Sequence, residues 1–126
     1  MIGYVTLGTN NFEKAMRFYD ELMTTLGESR LWHTDSMAAW GLSRDVPSLC
    51  IATPFDENPA TIGNGVMVAL KVDSSDQVDA VYAKAMELGA TDEGAPGARG
   101  TNGFYAGYFR DLDGNKLNVY IPARHA

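Results

Sequence analysis

Few residues in this chain pair a reactive side chain with a neighbour able to tune it. The sequence holds two histidines, His33 and His125, and one cysteine, Cys50. His33 closes a strand-like run beside Trp32 and Asp35, where an imidazole with a near-neutral reference pKa can act as an acid or a base. Spacing fixes no second catalytic partner for it, so a structural or surface histidine is the simpler reading. His125 sits next to the last residue, where chain ends usually fray, and is given no role. A nucleophilic Cys50 would need a nearby base or positive field to lower its thiol pKa. Its sequence neighbours supply none, which favours an inert buried thiol.

The glycine-rich segment Glu93-Gly94-Ala95-Pro96-Gly97-Ala98-Arg99-Gly100 lacks the Lys-Ser/Thr ending of a phosphate loop and the strand-to-helix context such a loop requires. It is expected to form a mobile flap over residues 94–103. Within it, Arg99 has the planar fork that grips a carboxylate or phosphate through two parallel hydrogen bonds; the competing reading is a solvated loop arginine. Trp32, Trp40, Phe104, Tyr105, Tyr108 and Tyr120 offer more aromatic surface than packing alone requires.

Bulk properties narrow the partners. The chain has 126 residues, 45% of them hydrophobic and 21% charged, with a formal net charge of −6. That length supports one well-buried core and one domain. The negative balance and the absence of a Lys/Arg cluster disfavour nucleic acid and anionic membrane, and no apolar run approaches the ~20 residues that cross a bilayer. The opening residues show no basic region followed by an apolar stretch and a cleavage site, so export is not predicted. A lone cysteine fits a reducing cytoplasm.

The elements that must position these residues read twice along the chain. From Ile2 to Gly8, Val5 and Leu7 face one way and Tyr4 and Thr6 the other, the period of a half-buried strand. Asn10 and Glu13 form a capping-box spacing, after which Phe12, Ala15, Met16, Tyr19, Leu22, Met23 and Leu26 recur at helical intervals until Gly27. Strands are predicted near 28–33, 37–42 and 48–53. After a Pro/Gly/Asn-rich stretch, Val66, Val68, Leu70 and Val72 alternate with Met67, Ala69 and Lys71. Ser74 and Gln77 cap a second helix that carries Val78, Val81, Tyr82, Ala85 and Leu88 and ends before Gly89. Strands near 90–93, 104–110 and 116–121 come next, with Asp113-Gly114-Asn115 turning the last hairpin. The order β-α-β-β-β therefore occurs in module 1, about 1–54, and again in module 2, about 65–122, joined by a linker at about 55–64. A repeat of about 60 residues suits two half-sheets sharing one domain better than two independent domains. Each helix is expected to cover one face of its own half-sheet and leave the other to a concave trough.

Ile2-Gly3-Tyr4-Val5-Thr6-Leu7-Gly8, the Phe18-Tyr19 pair, Asn64-Gly65-Val66-Met67-Val68-Ala69 and above all Tyr108-Phe109-Arg110-Asp111-Leu112-Asp113-Gly114-Asn115-Lys116-Leu117-Asn118 resemble the vicinal oxygen chelate superfamily. This superfamily groups glyoxalase, bleomycin-resistance and dioxygenase proteins, and the likeness is greatest to glyoxalase-like, lactoylglutathione lyase-related members. The resemblance implies an α+β fold of two tandem βαβββ modules with a concave mixed sheet. It also implies a divalent metal (Ni, Zn, Mn or Fe) held by four inward-facing residues, which fall here on Tyr4, Cys50, Met67 and Asn118. None is a histidine or a carboxylate, and hard ions and zinc both want such ligands, so no cofactor is expected. Fold alone does not transfer activity.

The leading expectation is a cytoplasmic small-molecule-binding protein without a divalent metal, its ligand met by Tyr4, Thr6, Cys50, Met67, Arg99, Tyr105, Asn118 and Tyr120. The alternatives are a glyoxalase-type lyase or isomerase or a dioxygenase, metal-dependent or using Tyr4 or His33 as acid or base, and a non-enzymatic interaction module with a filled trough. A homodimer is expected because an exposed edge strand at the module border invites pairing.

Overall fold

The computed structural model describes residues 1–124, and His125 lies outside them. The chain divides into two compact units, Met1–Ile62 and Gly63–Ala126, a division that falls within the stretch read as a linker.

The first unit contains β1 (Tyr4–Gly8), α1 (Phe12–Thr24), β2 (Ser29–His33), β3 (Met37–Gly41) and β4 (Ser48–Ala52). Its sheet runs β1-β4-β3-β2, with β1 parallel to β4 and the other pairs antiparallel. Helix α1 buries Ala15, Phe18, Tyr19, Leu22 and Met23, the i, i+3, i+4, i+7, i+8 stripe of a helix lying on a core. Its N-cap is Asn11, whose side chain accepts from the Lys14 backbone N–H at 3.2 Å. This corrects the expected cap at Asn10. The Asn10 amide is occupied elsewhere, donating to the Ala60 carbonyl at 3.1 Å and accepting from the Ala60 N–H at 2.7 Å, which pins the return loop. Gly27, with φ of 75°, takes the left-handed turn that carries the chain out of the helix.

Two observations identify the sheet face under α1. The Tyr19 and Trp40 rings lie 5.6 Å apart, and the Trp40 indole N–H donates to Asp20 at 2.9 Å. Trp40 is paired with Leu49 and Leu49 with Val5, while Ala38 is paired with Ile51 and Ile51 with Leu7, so these residues share the helix-covered face. Tyr4, Thr6, Cys50 and Ala39 occupy the other.

The second unit repeats the plan with β5 (Val68–Lys71), α2 (Ser75–Glu87), β6 (Thr91–Ala98), β7 (Tyr105–Arg110) and β8 (Lys116–Ile121), in sheet order β5-β8-β7-β6. Ser74 caps α2 by accepting from the Gln77 N–H at 3.2 Å, and the Gln77 side chain accepts from the Asp73 N–H at 3.0 Å. The helix buries Val78, Val81 and Ala85. A Cβ on Gly107 would come within 3.3 Å of the Tyr82 ring, so α2 crosses directly over Gly107 and its face-mates Phe109, Leu117 and Val119. The β7–β8 turn is organised by the buried Asp111 carboxylate, which accepts from the Asp113 and Asn115 backbone N–H groups, both at 2.9 Å, and from the Asn115 side chain at 3.0 Å. Gly114 supplies a φ of 89°, so the Asp-Leu-Asp-Gly-Asn run is a structural turn.

The glycine-rich flap needs correction. Residues up to Ala98 belong to β6, which pairs with β7 across two register shifts, one between Asp92 and Gly94 and the other between Gly94 and Gly97. Glycine tolerates the bulged backbone there. The hairpin loop is short, closed by the Arg99 N–H donating to the Phe104 carbonyl at 2.9 Å.

The Tyr82 hydroxyl donates to the Asp92 carboxylate at 2.6 Å. That bond pushes the phenol up to about 12 and holds the carboxyl of Asp92 below its ordinary value. The fold prefers the neutral phenol, so its contribution to stability is intact below the ordinary value of 10.0 and is lost as pH rises from there through about 12. Ultraviolet titration of the six tyrosines should show late-ionising phenols, Tyr82 and Tyr105 among them, and Tyr82→Phe should remove one of those late steps. An unchanged alkaline limb in the variant would count against the Tyr82–Asp92 bond.

Candidate functional site

Each sheet has one face without a helix, and the residues suited to chemistry divide between those faces and the helix-covered ones. In the first unit, Tyr4, 63% exposed, and Thr6 stand on the open face of β1, with Cys50 beside Thr6 on β4. Cys50 is 2% exposed. Burial pushes its thiol up, against a smaller opposing effect of the Ser48 hydrogen bond, so the sulfur is protonated at neutral pH and is a poor nucleophile or ligand.

His33 lies elsewhere. Arg30 pairs with Trp40, but a register shift between Arg30 and Trp32 pairs Trp32 with Ala39 and His33 with Ala38. The bulge thereby turns Trp32 toward the open face and His33 toward the α1 side. There Arg30 Nη1 lies 3.0 Å from His33 Nδ1, while the rest of the guanidinium is bound to Asp20 on α1 at 2.8 and 3.1 Å. His33 thus joins a hydrogen-bonded network on the α1 side and does not stand at the rim of the open face.

The second unit's open face is richer. Asn118 on β8 lies between Ala69 of β5 and Tyr108 of β7. It is 3% exposed and its Oδ1 has no hydrogen-bond partner, an expensive state for a buried carbonyl. Tyr120 stands next along the same face, its ring 5.6 Å from that of Phe104. Arg99 Cζ lies 5.4 Å and Lys116 Nζ 5.7 Å from the centre of the Tyr108 ring. Arg99 is held by its own segment, donating to the carbonyls of Gly97 at 2.9 Å and Ala95 at 2.8 Å. Arg110 on this face is engaged by Glu93 at 2.7 Å.

Tyr105 departs from the expected ligand set. Its hydroxyl donates to Asp79 of α2 at 2.7 Å, which raises the phenol's pKa, so it sits on the helix side. Tyr108 and Lys116 join the face without having been expected as ligand contacts. The sequence does carry the signal for both: Lys116 shares strand parity with Asn118, and Tyr108 comes opposite Asn118 once the hairpin is counted outward from its turn.

The family's metal positions can be tested against this chemistry. The first unit offers a phenol at Tyr4 and a buried protonated thiol at Cys50; the second offers a thioether at Met67, 42% exposed, and the Asn118 amide. No group of three or more His, Cys, Asp or Glu among the described residues could hold a metal ion. The residues present do not fit a divalent metal.

Residues 1–119 match the model of the glyoxalase/bleomycin resistance protein/dioxygenase superfamily. The chain belongs to that superfamily. A glyoxalase/bleomycin resistance protein from Albidiferax ferrireducens T118 is similar in sequence and structure, at 33% identity and a TM-score of 0.88, with 97% of this chain and 98% of that one covered. Two more distant structures share the fold. A lactoylglutathione lyase from Agrobacterium tumefaciens has 20% identity and a TM-score of 0.68 over 96% of this chain and 92% of that one. A fosfomycin resistance protein from Listeria monocytogenes has 15% identity and a TM-score of 0.70 over 98% and 93%. No curated protein matches the chain. Superfamily members often bind divalent metals, typically bind small molecules and form dimers. Among the described residues, no helix is long and apolar enough to cross a membrane.

Proposed function

We propose that this superfamily member binds a small organic molecule against the open sheet face around Asn118, without a divalent metal. The observation that carries the reading is the Asn118 carbonyl oxygen, buried and without a partner among the Tyr108, Tyr120 and Phe104 rings. Small-molecule sites combine apolar walls with a few placed polar groups, and an unmet acceptor beside aromatic side chains is that combination. We further propose a cytoplasmic homodimer. β1 and β5 each have a single strand neighbour, so one edge of each is bare, and Tyr4, Val66 and Met67 nearby are exposed.

Elemental analysis and a thermal-shift screen test the reading together. Protein purified without a metal-carrying tag should hold well under one equivalent of Ni, Zn, Mn, Fe or Mg, and chelator should leave its melting temperature unmoved. A ligand present at 100 times its Kd should stabilise the native state by about 2.7 kcal/mol, a shift of several degrees. Stoichiometric metal would overturn the metal-free reading. A broad small-molecule library without a single stabilising compound would overturn the binding reading.

A further inference from the structure

The chain as a whole is acidic, with 16 Asp and Glu against 10 Lys and Arg. The open face of the second unit runs against that balance. Arg99 and Lys116 approach the same Tyr108 ring, at 5.4 and 5.7 Å from its centre. Among the described residues neither has a carboxylate within ion-pair distance. The acid on that face, Glu93, is taken by Arg110 at 2.7 Å. Arg99 is also oriented: two of its five N–H donors are tied to Gly97 and Ala95 carbonyls, which fixes the plane of the fork. Both cationic residues are half-buried, so a charge brought between them is screened less than on open surface.

Directly across the strand pair from Tyr108 stands Asn118, with its buried acceptor unmet. Facing residues in an antiparallel pair have Cβ atoms about 5 Å apart. The Asn118 acceptor and the Arg99 and Lys116 cations therefore all adjoin the same residue, Tyr108.

We propose that the ligand of this face is a small carboxylate carrying a hydroxyl or N–H group at the far end of a flat body, the carboxylate seated between Arg99 and Lys116 and the donor hydrogen-bonded to Asn118 Oδ1. The proposal rests on the binding reading above and adds the ligand's chemical class. A carboxylate presents two coplanar acceptors to a guanidinium fork, the aromatic wall of Tyr108, Tyr120 and Phe104 accepts a flat body, and the Asn118 oxygen selects for a donor.

The test is calorimetric titration with 4-hydroxybenzoate, benzoate and neutral 4-hydroxybenzyl alcohol. The hydroxy acid should bind tightest. Arg99→Ala should weaken it about 10- to 100-fold, the loss expected for hydrogen bonds to a charged group, and Lys116→Met should weaken it less. Asn118→Ala should erase the preference for 4-hydroxybenzoate over benzoate. Because Asn118 is buried, each variant is first checked for an unchanged melting temperature, and the half-buried Lys116, as Lys116→Met, keeps the question open to test if the Asn118 variant does not fold. If the alcohol binds as well as the acid, or if Arg99→Ala and Lys116→Met leave the acid's affinity unchanged, the carboxylate assignment falls while the binding reading stands. If none of the three probes binds and the broad screen is also empty, both fall.

Discussion

Replacing Phe109 with Ala should cost about 3–5 kcal/mol of unfolding free energy, while the same replacement one residue earlier, at Tyr108, should cost about 1 kcal/mol. Both are large aromatics on β7, but strand alternation separates their fates. Phe109 is fully buried on the side that α2 covers, so truncation removes a packed ring and leaves a cavity that the helix can only partly fill. Tyr108 is half-buried on the open face, where water fills the space the ring vacates. Urea unfolding of the two variants measures the difference directly. Equal losses would mean that the two faces of the second sheet are wrongly assigned, and with them the place of the binding site. Tyr108→Ala should in turn strip Arg99 and Lys116 of the surface that gathers them, so its effect belongs in ligand affinity more than in stability.

Asp20→Ala should destabilise by about 2–3 kcal/mol, more than its surface position suggests. Its ion pair with Arg30 is about one-third exposed on each side, at 30% and 33%, and an exposed pair of that kind contributes under about 1 kcal/mol. The larger part comes from Trp40. That side chain is 1% exposed, and Asp20 Oδ1 accepts its indole N–H at 2.9 Å. Removing the acceptor strands a buried donor, which costs on the order of 1–3 kcal/mol. Asp20→Asn separates the two contributions because it keeps a carbonyl oxygen for Trp40 while discarding the charge. It should recover more than half of the loss, as measured by thermal or urea unfolding. If Asn and Ala are equally damaging, the ion pair and not the indole bond holds α1 to the sheet.

The fold is legible in the sequence where its signals are periodic. The strand at Lys116–Ile121 and the Ser74 cap with Gln77 stand as the alternation and the capping spacing predict, because each depends on residues within a few positions of one another. Sequence and structure part where one tertiary bond or one inserted residue decides the outcome. Asn10 and Asn11 are chemically equivalent as caps; the choice between them is made by Ala60, fifty residues on. Strand parity alone puts His33 on the wrong side, because a bulge after Arg30 shifts the register of Trp32 and His33, and nothing in Ser-Arg-Leu-Trp-His announces it. The long β6 is hidden by its glycines, which weaken strand propensity while permitting the bulges that the strand uses. Within the site, strand parity places Asn118 and Tyr120 together and extends by the same rule to Lys116, a residue that the family's metal positions do not include.

The parallel pairing in each sheet governs how the molecule comes into being. In each unit the first strand has only the last strand beside it: Tyr4 is paired with Ser48, and Val68 with Leu117. The antiparallel β2-β3-β4 and β6-β7-β8 ladders can zip through short turns, whereas β1 and β5 must wait for a long loop to close. During synthesis, which runs from the N-terminus, β1 leaves the ribosome well before its partner β4. Until β4 has emerged, Val5 and Leu7 have no ladder to anchor them, and a nascent chain arrested anywhere before Ser48 carries a strand with both edges bare. The second unit then passes through the same exposed interval with β5, so the ribosome-bound chain meets its aggregation hazard twice, each time in the segment that begins a module.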